Sequence, residues 1–196
     1  MKTCVRLIIV SLALGIASLE TRTDAQVAVT SVTTVNAGVK ISDFQLAVSN
    51  YFRVPSRDVA VVRDRSVRDE DLPVVFFIAQ RASLAPSTVV DLRLRGYSWW
   101  DISVRYRLGP EVYYVPVAGN PGPPYGNAYG YYKRPRNQWN TIVLSDADVV
   151  NLVHLRFLTE HYHVTPQRVI DLRGRTGDFT AVEREISGRG HGARGK

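Results

Sequence analysis

The sequence predicts an all-α protein of two small helical units, built from repeated three-helix modules and joined by an irregular Pro/Gly/Tyr-rich segment. Three observations carry this reading. An apolar stretch reaches a proline step and restarts as a Val- and Arg-containing run at Val54-Pro55, Ala85-Pro86 and Thr165-Pro166. Proline pushes the residue before it out of the α region but suits the first turn of a helix, so each step ends one helix and opens the next. Around these steps the apolar residues recur at helical spacing, and between residues 110 and 144 the composition turns abruptly to Pro, Gly and Tyr.

Residues 1–25 read as a secretory signal peptide. Lys2 and Arg6 form a positive start, Leu7 to Leu19 is apolar, and Thr23-Asp24-Ala25 places small residues before a cut at Gln26. That apolar run would rise only about 20 Å as a helix, short of the roughly 30 Å a bilayer core requires, so no transmembrane span is expected after processing. Residues 26–41 are rich in Val and Thr without helical period and are expected as an extended arm or one short strand.

The unit 42–109 opens where Ser42 with Asp43 caps a helix whose apolar stripe is Phe44, Leu46, Ala47, Val48, Tyr51 and Phe52. After Pro55 a second helix holds Val59 and Val62. The acids Asp69 to Asp71 followed by Pro73 start a third, which is apolar through Ala82 and therefore expected in the core. Pro86 and Ser87 open the helix of Val89, Val90, Leu92 and Leu94, which Gly96 closes, and Ser98 caps the helix beginning at Trp99. Residues 110–144 are expected as a non-helical linker. The unit 145–188 restates the pattern: Ser145 and Asp146 cap a long helix, Thr165-Pro166 opens the next, and Asp178 caps Phe179 to Ile186. Aligned on the prolines, Val90-Asp91-Leu92-Arg93 falls on Ile170-Asp171-Leu172-Arg173, and Trp99 falls on Phe179. Residues 189–196, glycine-rich and purely basic, read as a disordered tail.

Composition narrows the function. With 25 Lys and Arg against 18 Asp and Glu the net charge is +7, and it stays positive once the leader is removed, which favours anionic partners. The one cysteine, Cys4, lies in the leader, so disulfide scaffolds, cysteine-held zinc and thiol chemistry are excluded from the mature chain. Several arginines are interleaved with acids, as in Arg57-Asp58, Arg63-Asp64-Arg65 and Arg68-Asp69-Glu70-Asp71, the pattern of a solvated helix face.

The run from Val89 through Leu92-Arg93, Gly96-Tyr97-Ser98 and Ile102 to Leu108-Gly109 resembles the first two helices of trihelical helix-turn-helix domains, which implies nucleic-acid binding. Where the recognition helix of such a domain would begin, Pro110 to Pro116 is β-prone and bracketed by prolines, leaving no helix for a major groove, so sequence-specific DNA is not the expected partner. The wider layout of leader, helical repeats and Pro/Gly/Tyr segment resembles uncharacterised secreted bacterial helical-repeat proteins, which implies export to the periplasm or the medium.

No catalytic, cofactor-binding or metal-ligating set is assigned. His154 and His161 would lie about 10 Å apart along a helix, too far for one metal, and with His163 they are expected at the surface or at helix ends. Asp91 with Arg93, and Asp171 with Arg173, read as structural complements to a helix dipole. Trp99 is expected in the core. Trp100 points about 100° away and, with Tyr125, Tyr129, Tyr131, Tyr132, Lys133 and Arg134, makes up the candidate partner contact. The expected function is that of an exported, non-enzymatic protein acting by interaction with another protein or an anionic envelope component. A nucleic-acid-binding protein and a hydrolase with a cleft between the helical units are the alternatives.

Overall fold

The computed structural model describes residues 40–192, with side chains through residue 188. The signal-peptide and extended-arm readings fall outside these residues, apart from the arm's last two positions. The described chain is all-α, and no strand occurs among the described residues. Its helices are α1 (Asp43–Phe52), α2 (Ser56–Asp64), α3 (Leu72–Arg81), α4 (Pro86–Leu94), α5 (Trp99–Arg105), α6 (Gly126–Tyr132), α7 (Asp146–Tyr162), α8 (Pro166–Thr176) and α9 (Phe179–Gly192). Short 3-10 turns occupy Asp69–Asp71, Pro110–Val112 and Arg136–Thr141. No helix among the described residues is long and apolar enough to cross a membrane.

Local chemistry sets the helix ends. Ser42, Ser98 and Ser145 each form a capping box, satisfying amides that the first helical turn leaves without a partner. The helices before the three proline steps all run into a left-handed residue, Arg53, Ser83 and His163, with φ of 53°, 54° and 53°. The second helices of the pattern are followed by another such residue, at Ser66, Gly96 and Gly177. A left-handed residue turns the chain sharply, and the proline two or three positions later fixes the direction of the new helix.

α3 is the centre of the molecule: Leu72 through Ala79 are all buried, and the helix packs on α1, α4 and α7. α7 packs in turn on α8 and α9, so helices from both expected units share one continuous cluster of buried side chains. Two carboxylates tie the units together. The backbone N–H of Trp99, the first residue of α5, donates to Asp146 Oδ1 at 2.7 Å, and the N–H of Phe179, the first residue of α9, donates to Glu70 Oε1 at 3.2 Å. Each acid stands near the start of the long helix in the opposite unit, Asp146 at α7 and Glu70 just before α3.

The segment 110–144 corrects the sequence expectation. It contains a helix, α6, and its rings are core: Tyr125 is fully buried, and Tyr113, Tyr129, Tyr132 and Trp139 are nearly so. Glycine and tyrosine are indifferent helix formers, but Tyr125, Ala128, Tyr129 and Tyr132 fall on one face and bury together. Hydrophobic burial of those rings outweighs the weak propensity of the backbone. At the other end, the backbone of α9 is helical to Gly192, into the stretch expected as a disordered tail.

Candidate functional site

The proposed contact residues separate into two groups. Tyr125, Tyr129 and Tyr132 are buried and serve the fold. Tyr129 donates its hydroxyl to the Val115 carbonyl at 2.5 Å, and Tyr132 donates to the Pro110 carbonyl at 2.7 Å, so α6 is fastened to the chain that precedes it. Tyr114, Tyr132 and Trp139 pack mutually with centroids 4.9 to 5.1 Å apart, a spacing that leaves no room for a ligand between them. Burial raises the hydroxyl pKa of Tyr125, Tyr129 and Tyr132 and keeps them neutral.

The remaining candidates reach the surface. Lys133 and Arg134 are exposed, and Tyr131 and Trp100 are half-buried. Arg136, exposed beside them, completes a cationic rim over the aromatic cluster. The Arg134 guanidinium lies 5.5 Å from the Tyr131 ring centre, and that of Arg136 lies 4.8 Å from Trp139 and 5.9 Å from Tyr114. Among the described residues no carboxylate lies within ion-pair distance of Lys133, Arg134 or Arg136. The rings therefore orient the cations without neutralising them.

Arg93 and Arg173 stand in the last turns of α4 and α8, as the dipole reading expects, and have a second structural task. Arg93 lies 4.5 Å over Trp99, and Arg173 lies 4.4 Å over Phe179, so the arginine of α4 and that of α8 each cover the first aromatic of the next helix. Arg93 also pairs with Asp146 at 2.6 Å, while Asp91 pairs with Arg65 at 2.7 Å.

His154 is not at the surface. It is fully buried, stacked on Phe179 at 3.9 Å, and its Nε2 is 2.7 Å from the Glu70 carbonyl, which makes Nε2 the protonated nitrogen. Desolvation lowers its pKa to about 4, so the ring is neutral over most of the working pH range. His163 stands exposed at the end of α7, as expected, and His161 is half-buried with its pKa lowered by desolvation. No group of three or more His, Cys, Asp or Glu among the described residues is placed to hold a metal ion.

A second feature escaped the sequence reading. Where α1, the last turn of α7 and α9 converge, a groove of about 470 Å³ is lined by Asp43, Leu46, Asn50, His161, Tyr162 and Glu183 among others. Glu183 is 3% exposed and accepts a hydrogen bond from the Tyr162 hydroxyl. No sequence motif marks this groove, because its walls come from helices more than a hundred residues apart. Beyond α5, where a recognition helix would stand, the chain forms the 3-10 turn Pro110–Val112 and then runs irregularly to α6. No protein-family model, curated protein or solved structure matches this chain.

Proposed function

We propose that this is an exported, non-enzymatic protein that docks on an anionic component of the cell envelope through the rim of Lys133, Arg134 and Arg136. The observation that carries the reading is a pair of exposed guanidinium groups, Arg134 and Arg136, held over aromatic rings beside the exposed Lys133, with no carboxylate at ion-pair distance among the described residues. Guanidinium groups suit phosphate and carboxylate oxygens because they present paired donors in a plane. The half-buried Tyr131 and Trp100 offer amphipathic rings of the kind that sit comfortably at a wet interface. The leader and the positive net charge agree with an envelope location.

Sedimentation with phosphatidylglycerol vesicles tests the contact, with phosphatidylcholine vesicles as the neutral control. Binding to the anionic vesicles should be lost near 1 M salt, where the screening length is about 3 Å. Binding that ignores both salt and lipid charge would remove the proposal. Cell fractionation with sequencing of the mature N-terminus tests export: a protein beginning at Gln26 outside the cytoplasm is expected, and a cytoplasmic protein beginning at Met1 would overturn it. The hydrolase alternative has its best candidate in the groove beside Glu183, since that groove lies where the two expected units meet.

A further inference from the structure

The corner where α4 turns into α5 presents apolar side chains that the fold does not use. Six large hydrophobic side chains are exposed among the described residues, and three of them stand here: Leu94 at 56%, Tyr97 at 39% and Val104 at 53% exposed. Core packing on the same two helices falls to Val89, Val90, Leu92, Trp99 and Ile102. Single exposed apolar residues are ordinary, but three on one corner mark a contact surface. The corner is fixed in place. The Tyr97 backbone N–H donates to the Leu92 carbonyl at 3.3 Å, and Arg93 donates from Nη1 to the Tyr97 carbonyl at 3.0 Å. The Arg105 guanidinium lies 5.9 Å from the Tyr97 ring centre, which brings the end of α5 against the turn. Gly96, between Leu94 and Tyr97, has φ 90°, and a Cβ there would meet nothing within 4 Å, so another chain can approach the turn closely.

Charge on this corner is predominantly positive. Arg95, Arg105 and Arg107 are exposed, and none has a carboxylate at ion-pair distance among the described residues. Arg95 donates from Nε to the Asp91 carbonyl at 3.1 Å, a contact that orients the side chain without neutralising it. Two acids stand nearby and both are engaged. Asp91 pairs with Arg65 at 2.7 Å, and Asp101 accepts from the Ser98 hydroxyl at 2.6 Å and the Ser98 amide at 3.2 Å. Those hydrogen bonds lower the Asp101 pKa and keep it ionised. Aliphatic side chains and a tyrosine interleaved with unpaired arginines have the composition of a protein-binding patch. A bilayer suits the corner less, because two aliphatic side chains and one ring offer little area to bury and the ionised Asp101 would be pressed against anionic headgroups. An anion without apolar groups would leave Leu94 and Val104 in water.

We propose that the corner of α4 and α5 docks an acidic polypeptide segment carrying apolar side chains. Leu94, Tyr97 and Val104 receive the apolar groups, and Arg95, Arg105 and Arg107 receive the carboxylates. Charge complementarity sets the sign of the occupant, and the exposed aliphatic groups set its second component. The surface shares no residue with the rim of Lys133, Arg134 and Arg136, and it stands whether or not that rim binds lipid.

The test uses the full-length protein and three fluorescent peptides: one of Glu and Leu, one of equal length and charge with Ser in place of Leu, and one of Lys and Leu. Fluorescence anisotropy should show saturable one-to-one binding of the Glu/Leu peptide, binding of the Glu/Ser peptide weaker by about tenfold or more, and no saturable binding of the Lys/Leu peptide. Two double variants, Leu94→Ser with Val104→Ser and Arg95→Gln with Arg105→Gln, change only exposed positions. Each should weaken Glu/Leu binding about tenfold while its melting temperature stays that of the wild type. The triple variant Lys133→Glu, Arg134→Glu and Arg136→Glu should bind the peptide unchanged, and both double variants should sediment with phosphatidylglycerol vesicles as the wild type does. Absence of saturable Glu/Leu binding, equal binding of either control peptide, or unchanged affinity in the folded double variants would each overturn the proposal. So would loss of peptide binding in the triple variant, which would assign the peptide to the rim, or loss of vesicle binding in a double variant, which would assign the corner to lipid. Failure of the wild type to bind vesicles removes only the reading of the rim.

Discussion

Acidification should weaken the fold through His154, the fully buried histidine. The ring is fully buried between Phe179 and the rest of the aromatic core, and its Nε2–H is committed to the Glu70 carbonyl at 2.7 Å. Desolvation lowers its pKa from 6.5 to about 4. The unfolded chain therefore takes up the proton near pH 6.5 while the folded chain resists until about pH 4. Stability due to the neutral ring is complete above pH 6.5 and falls as the pH drops toward 4. The slope is about 1.4 kcal/mol per pH unit, with a total loss of about 3 kcal/mol. Urea unfolding from pH 7.5 to 4.5, on the wild type and on His154→Phe, isolates this contribution because His161 titrates in both proteins. The variant keeps a ring against Phe179 but leaves the Glu70 carbonyl without its donor, so it should start about 1 to 3 kcal/mol less stable. Its disadvantage should then shrink as the pH falls. Parallel stability profiles for the two proteins across this range would refute the burial argument for His154.

Other perturbations follow from the same contacts. Asp146→Ala removes the acceptor for the Trp99 N–H and the partner of Arg93, and should cost about 1 to 2 kcal/mol in thermal or urea unfolding. Asp58→Ala, which breaks only the exposed pair with Arg57, should change stability by less than about 0.5 kcal/mol; equal losses would discredit the assigned role of Asp146. Tyr125→Phe deletes a buried hydroxyl that has no hydrogen-bond partner among the described residues and should be neutral or stabilising. Tyr129→Phe abandons the Val115 carbonyl and should cost about 1 to 3 kcal/mol, the order of the two reversing if these hydroxyls are wrongly placed. Ser83→Gly relieves a left-handed residue and should stabilise by up to about 1 kcal/mol, while Gly96→Ala, at φ 90°, should destabilise by about 1 kcal/mol or more; melting temperatures moving the other way would contradict the turn assignments.

The parts of the fold governed by local chemistry were legible in the sequence. Ser42, Ser98 and Ser145 announce helix starts through their own hydroxyls, and the prolines at 55, 86 and 166 mark where helices begin. Trp99 in the core and Trp100 half-buried follow from the 100° step between neighbours on a helix. Composition alone makes the tyrosine segment look like a linker, whereas its spacing carries a helix. Tyr125, Tyr129 and Tyr132 stand at i, i+4 and i+7, the period of a buried stripe, and that signal was available amid the glycines. His154 carried a similar sign, one turn from Val150 and close to Phe157 along α7, but a histidine's burial depends on the carbonyl that waits for it, here from Glu70. The groove was not legible at all. Asp43 and Glu183 become neighbours only when α1 meets α9, and no pattern within either helix encodes that meeting.

Residues 110–144 divide into an aromatic wedge that holds the fold and a cationic rim proposed to make the contact, and one comparison separates the two roles. The affinity for phosphatidylglycerol vesicles is measured for wild type, for the triple variant Lys133→Glu, Arg134→Glu and Arg136→Glu, and for the double variant Tyr129→Phe and Tyr132→Phe, with a melting curve for each. The charge-reversed rim should lose vesicle binding and keep its melting temperature, whereas the double variant should melt earlier and bind as the wild type does. Undiminished binding by the charge-reversed protein, or loss of binding in a still-folded double variant, would contradict the division.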